Sequence, residues 1–257
     1  MRYRAVISYY GANYVGWQRQ LNGLSVQEVL EKALEKTFGA PTSATASGRT
    51  DAGVHALGQV VHFDAETSIP TDKIPFAVNT HLPDDVSMLS CEIAPENFNA
   101  RFSAKRKTYC YKIYVSKHRL PVLELDHEHI TYPLDLDKIR QAAKIIEGTH
   151  DFKCFEASGS VVKNTVRTVY SVDVITRPFD DATVRADGKF FDGELLISVT
   201  GNGFLYNMVR IIAGTLVYVG IGKLTPEDVS RILETGDRKA AGKTLGAKGL
   251  TSALNIS

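Results

Sequence analysis

Strand-like and helix-like segments follow one another in this chain in an order that runs twice: a strand, a capped helix, then further strands. Residues 2–10 alternate and are rich in Val, Ile and Tyr, which predicts a strand. After a Gly-containing loop over 11–23, Ser25 and Glu28 have the spacing of a capping box. Val26, Val29, Leu30, Ala33 and Leu34 then recur at helical intervals up to Phe38, and Gly39 stands where a helix stop belongs. Short strands are expected over 42–47 and 59–63, a helix over 73–81, and strands over 86–93 and 107–116. An amphipathic helix over 136–147 carries Leu136, Ile139, Ala143 and Ile146 on one face, with Gly148 as its stop. Strands over 166–176 and 194–200, an apolar helix over 206–219 and a last helix opening at Pro226 behind Thr225 complete the series. This order favours two α+β halves, each an antiparallel sheet backed by helices on one face. No strong internal sequence repeat accompanies it, and both 95–97 and 120–121 suit a boundary.

The 257 residues are enough for two modest domains or one large one. Apolar residues at 44% and charged residues at 23% are ordinary for a soluble globular protein. Cys91, Cys110 and Cys154 are far apart and form no C-x-x-C pair, which argues against a disulfide framework and a zinc ribbon. The N-terminal residues lack the apolar core of a signal peptide. The most apolar window, 208–221, is shorter than the ~20 residues of a membrane span. A cytoplasmic enzyme in reducing surroundings is expected.

Net charge is only +1, but its distribution is uneven. Between 100 and 121 stand seven cations, Arg101, Lys105, Arg106, Lys107, Lys112, Lys117 and Arg119, and no acidic residue. Phe102, Tyr109, Tyr111 and Tyr114 are interleaved with them. That mixture suits phosphate neutralisation beside base stacking, and equally a solvated strand face with aromatics beneath.

The compact turn Gly48-Arg49-Thr50-Asp51-Ala52-Gly53 lies between two expected strands. Its two glycines allow tight geometry and close approach by a ligand. Thr50 and Ala52 are small and leave the one carboxylate accessible. Arg49 can hold that carboxylate ionised or contact an RNA phosphate. A plain Asx-turn joining two strands is the competing reading.

The wider pattern decides between them. Gly11-Ala12-Asn13-Tyr14-Val15-Gly16-Trp17-Gln18-Arg19-Gln20 precedes the turn, and Val54-His55-Ala56, Gly58-Gln59-Val60 and Val61-His62-Phe63 follow it. Further on come Asn99-Ala100-Arg101-Phe102-Ser103-Ala104, Thr108-Tyr109-Cys110-Tyr111, Gly148-Thr149-His150-Asp151-Phe152 and Val166-Arg167-Thr168. Gly203-Phe204-Leu205-Tyr206-Asn207-Met208-Val209-Arg210 closes the series. In this order, over nearly the whole chain, these motifs closely resemble the tRNA pseudouridine synthase A family, the tRNA pseudouridine(38–40) synthases. Two departures stand out. Tyr10 occupies a position where the family usually has aspartate, and residues 241–250 replace a more proline-rich segment.

The resemblance implies conversion of uridine to pseudouridine at positions 38, 39 and 40 of the tRNA anticodon stem-loop. The reaction is an isomerisation and needs no cofactor or metal. Asp51 matches the catalytic aspartate, the family's nucleophile; attack on ribose, attack on uracil and removal of a ribose proton all remain open. Tyr109 matches the tyrosine that stacks on the target base; Arg49, Arg210 and Leu250 match substrate-binding positions. Arg19, Arg101, Lys105, Arg106 and Lys107 are expected on the RNA backbone, and a homodimer with one tRNA touching both subunits is implied. A base inside a stem-loop must be flipped out, at a cost of a few kcal/mol. The expected fold is α+β, with two similar halves (1–100, carrying the aspartate turn, and 101–257). Their antiparallel sheets join into one central sheet with helices on one face and a basic cleft on the other.

Other motifs carry less. Gly242-Lys243-Thr244 resembles the end of a P-loop but lacks the required upstream glycine. His127, His129 and His150 are read as loop histidines, not metal ligands. A non-catalytic RNA-binding module leaves the Asp51 turn unexplained, and a nucleoside hydrolase calls for a second carboxylate or a metal-held water.

Overall fold

The structure, a computed structural model, describes residues 1–159, 162–179 and 191–253. The chain forms two compact units, one of Met1–Arg106 with the residues from Thr251 onward, the other of Lys107–Leu250. Arg101, Lys105 and Arg106 therefore belong to the first unit.

That unit opens with β1 (Arg2–Tyr9), in which Tyr3, Ala5, Ile7 and Tyr9 are buried and the residues between them half-exposed. Such alternation marks a strand with one face on a core. α1 (Val26–Phe38) supplies the opposite wall through Val26, Leu30, Ala33 and Leu34, all essentially fully buried. Ser25 caps it by accepting from the Glu28 N–H at 3.2 Å, and Gly39 ends it at φ 73°. Only half of the expected capping box forms, because the Glu28 carboxylate is taken by Lys32 one turn later, at 2.6 Å.

Next come β2 (Thr45–Ala46), β3 (His55–Asp64), α2 (Ile74–Asn79), β4 (Val86–Ile93) and α3 (Ala100–Ser103). β1 lies between β3 and β4, antiparallel to both, and β2 pairs with β3. The strand expected over 42–47 shrinks to two residues for a specific reason. The Ala44 N–H is bonded by the Glu31 carboxylate at 2.9 Å instead of by a neighbouring strand. Conversely, β3 begins already at His55, so the aspartate turn ends where a ladder starts.

The second unit is built on β5 (Lys107–Val115), β6 (Glu128–Ile130), α4 (Leu136–Ile146), β7 (Gly148–Asp151), β8 (Val166–Pro178) and β9 (Gly193–Gly201). β9 lies between β5 and β8, and β7 lies beyond β8, all antiparallel; β6 runs parallel to β5 on its other side. α4 packs against α5 (Met208–Gly220), α6 (Pro226–Thr235) and β8. α5 is buried on nearly every side, as its apolar composition requires. At α6, Thr225 and Asp228 form the full reciprocal capping box.

The chain crosses back to the first unit within β10 (Leu250–Ser252). Thr251 and Ser252 pair in parallel with His55 and Ala56, so the strand leaving the aspartate turn gains a partner from the far end of the sequence. Among the described residues, no helix is long and apolar enough to cross a membrane.

Candidate active site

The aspartate turn is closed from within and gripped from outside. Val54 N–H donates to Asp51 O at 3.2 Å, Ser47 N–H to Val60 O at 2.8 Å, and Gln59 Nε2 to Gly48 O at 2.5 Å. Gly53 takes φ 78°, a conformation that favours glycine. Thr50 is buried, Arg49 and Ala52 are exposed, and Asp51 is half-exposed.

The grip comes from residues 10–17, which lie backbone to backbone on the turn. Trp17 N–H donates to Thr50 O at 3.1 Å, and Gly53 N–H to Tyr14 O at 3.3 Å. Gly16 and Asp51 form an isolated antiparallel bridge. This closeness needs glycine twice. A Cβ on Gly11 would stand 1.9 Å from Val54 O, and one on Gly16, at φ 109°, would stand 2.5 Å from Thr50 O. Gly11 N–H donates to His55 Nδ1 at 2.9 Å, which leaves the proton of neutral His55 on Nε2, and the Tyr10 ring stacks on that imidazole at 4.5 Å. Tyr14 donates to Asp85 at 2.5 Å and Asn13 Nδ2 to the same carboxylate at 2.9 Å, anchoring the loop beside β4. Burial, reinforced by that hydrogen bond to Asp85, pushes the Tyr14 phenol well above its ordinary pKa.

Trp17 is only 3% exposed and packs near Tyr9, ring centroids 6.2 Å apart; it is a core residue of this loop. Arg19 is exposed, yet its Nε lies 2.8 Å from the nearly buried Glu31 carboxylate. In α3, Asn99 caps the helix and His62 Nδ1 accepts from Ala100 N–H at 3.2 Å. Arg101 lies over the Phe102 ring at 5.7 Å, and that ring is 80% exposed. Lys105 and Arg106 are exposed as well. The first unit thus carries three cations and an uncovered aromatic ring within a few residues.

In the second unit Lys107 opens β5 opposite Gly201. Tyr109 follows on the same strand, half-buried, its ring edge-on to Phe204 at 5.3 Å. Arg210, in the first turn of α5, donates from Nε to Leu245 O at 2.7 Å and from Nη1 to Asn207 Oδ1 at 2.5 Å. It is therefore a fastener of the segment 241–250 that leads to Leu250, itself buried. The same segment is held by Arg238 on Gly242 O at 3.0 Å and by Tyr111 on Gly246 O at 2.7 Å. Lys248 Nζ bonds the Glu124 carboxylate at 2.8 Å and, with the Tyr114 hydroxyl, lowers its pKa to about 2.

The P-loop resemblance dissolves here. Gly242 packs on the α5 backbone, where a Cβ would lie 2.4 Å from Gly214 C, and among the described residues no α-helix follows it. His127 is 5% exposed between Asp126 and Glu194, and His129 stacks on Tyr114 at 4.4 Å, so neither is an open loop histidine. Among the described residues no three His, Cys, Asp or Glu side chains are grouped to hold a metal.

Asp51, Arg49 and Arg19 share the first unit with Arg101, Lys105 and Arg106, whereas Lys107, Tyr109, Arg210 and Leu250 belong to the second. Sequence reasoning passed over His55, Gln59, Tyr14 and Asp85 as supports of the turn. The paired glycines at 11 and 16 were the signal of a close backbone approach.

The turn that carries Asp51 is thus clamped by the 10–17 loop within an α+β chain. A family model described as tRNA pseudouridine synthase matches residues 5–103 and 142–253, and the chain belongs to that family of isomerases. The tRNA pseudouridine synthase A of Thermoanaerobacter sp. (strain X514) is 44% identical over 245 residues, 95% of each chain. That of Bacillus velezensis is 46% identical over 253 residues, 97% of this chain and 96% of its own. Bacillus subtilis (strain 168) has one 45% identical over 252 residues, 97% of this chain and 96% of its own. A looser overlay, with TM-score 0.36 and 14% identity, joins 92% of this chain to 59% of a chain in an archaeal box H/ACA sRNP complex.

A methyl group at position 16 should part the two loops. Gly16→Ala is expected to fold but to lose about 1–3 kcal/mol of unfolding free energy in a urea titration, the scale of backbone strain at such a site. An unchanged midpoint would mean that the close approach is not needed.

Proposed function

We propose that this enzyme isomerises uridine at positions 38, 39 and 40 of the tRNA anticodon stem-loop, with Asp51 as its catalytic carboxylate. The observation that carries the reading is the half-exposed Asp51 on a turn bound both to β3 and to the 10–17 loop. A carboxylate so held loses little freedom when it meets the sugar or base of an extruded nucleotide. The bond from ribose C1′ to N1 breaks and one from C1′ to C5 forms, while C5 loses a proton and N1 gains one. Electrons and atoms balance within the substrate. Tyr109 stacks on the base, Arg49 and Arg210 meet the nucleotide's charged groups, and Leu250 supplies apolar contact. Arg19, Arg101, Lys105, Arg106 and Lys107 meet backbone phosphates. A cytoplasmic setting and a homodimer belong to the same reading.

tRNA tritiated at C5 of uridines 38, 39 and 40 alone should lose its label to water without free uracil. Label at other uridines should stay. Asp51→Asn should bind the same tRNA but slow release by at least about 10³-fold. Free uracil would indicate hydrolysis, and release from other uridines would refute the site assignment.

Phosphate contacts make binding salt-dependent by counterion release. Replacing Arg101, Lys105 and Arg106 together by Ala should flatten the slope of log K against log salt by about 2, from roughly 0.7–0.9 per lost contact. An unaltered slope would remove these residues from the RNA path.

A further inference from the structure

We propose that Tyr9 is a positioning residue for Asp51, acting through the hydroxyl of Thr50. The inference rests on the reading of Asp51 as the catalytic carboxylate and concerns what aims it. Tyr9 is the last residue of β1 and is paired on both sides, with Ala56 of β3 and Val86 of β4. A register shift between Ile7 and Tyr9 interrupts the β1–β3 ladder just before it, a bulge of the kind that re-aims a side chain. Its ring is 3% exposed and packs near Trp17. From that fixed place its hydroxyl meets Thr50 Oγ1 at 2.8 Å in a buried contact.

Thr50 is 7% exposed and immediately precedes Asp51. Its carbonyl is already held by Trp17 N–H, so the Tyr9 hydroxyl fixes its other end. With its carbonyl and its hydroxyl both held, Thr50 is fixed at backbone and side chain, and the peptide plane it shares with Asp51 sets where the carboxylate starts. Tyr9 and Thr50 are both buried, so removing the contact between them should spare RNA binding and affect the chemical step. A displacement near 1 Å of a catalytic group is worth about 10²-fold in rate.

The test is single-turnover tritium release from C5-labelled tRNA with full-length enzyme in saturating excess, where doubling the enzyme leaves the rate constant unchanged, so that it reads the folded enzyme alone. Tyr9→Phe and Thr50→Val should each slow release by roughly 10–100-fold, with the dissociation constant for tRNA unchanged. Thr50→Ser, which keeps the hydroxyl, should restore the rate to within about threefold. The double variant Tyr9→Phe with Thr50→Val should be no slower than the worse single, since both cut one link. A purely structural role would leave the rate constant of the folded enzyme unchanged, so a wild-type rate constant in Tyr9→Phe would overturn the proposal. Asp51→Ala, run alongside, separates the two readings. If it turns over normally, the Asp51 assignment fails; if it is inactive while Tyr9→Phe is fully fast, only the positioning role fails.

Discussion

Everything proposed for Asp51 depends on two loops meeting backbone to backbone. The Trp17–Thr50 and Gly53–Tyr14 main-chain bonds each contribute only about 0.5–1.5 kcal/mol net. The strain of a single methyl at Gly16 is of the same size, about 1–3 kcal/mol. The junction is therefore narrowly balanced, and glycine at 11 and 16 is a condition of its existence. Around it the sheet supplies rigidity: β3 starts at His55, directly after the turn, and β10 returns to pair with His55 and Ala56.

The second unit uses the same device elsewhere. Gly214 of α5 lets Lys243 O approach to where a Cβ would stand 1.9 Å away. This close packing, with Arg210 and Arg238 on carbonyls of the segment, holds residues 241–250, which contain no proline. The Lys248–Glu124 pair adds to it, but both partners are partly exposed and such pairs contribute about 1 kcal/mol or less. Arg210 is consequently committed to packing, besides the nucleotide contact proposed for it. A substitution there disturbs the segment that carries Leu250 as well as any contact with RNA.

Much of this was legible in the sequence, and the reasons are particular. α1 could be read because Ser25, the Val26–Leu34 stripe and Gly39 agree with one another, and the aspartate turn because glycine brackets it. The packing of Gly11 on Val54 could not be read, since nothing in a linear string says which backbone a glycine is sparing. β6, β7 and β10 hold three or four residues each, too few for a period of two to register. β2 was overestimated because Glu31, remote in sequence, satisfies the backbone of Ala44. The burial of His127 and the tethering of Arg210 were likewise hidden, because both depend on partners brought up by the fold.

Amide hydrogen exchange in the free protein addresses the central claim most directly, because it asks whether the turn is held before RNA arrives. The Trp17 and Gly53 amides, which donate across the junction, should exchange as slowly as those of central β1. Exchange at the rate of an open loop would mean that the aspartate is not held in advance, and the account of its positioning would fall.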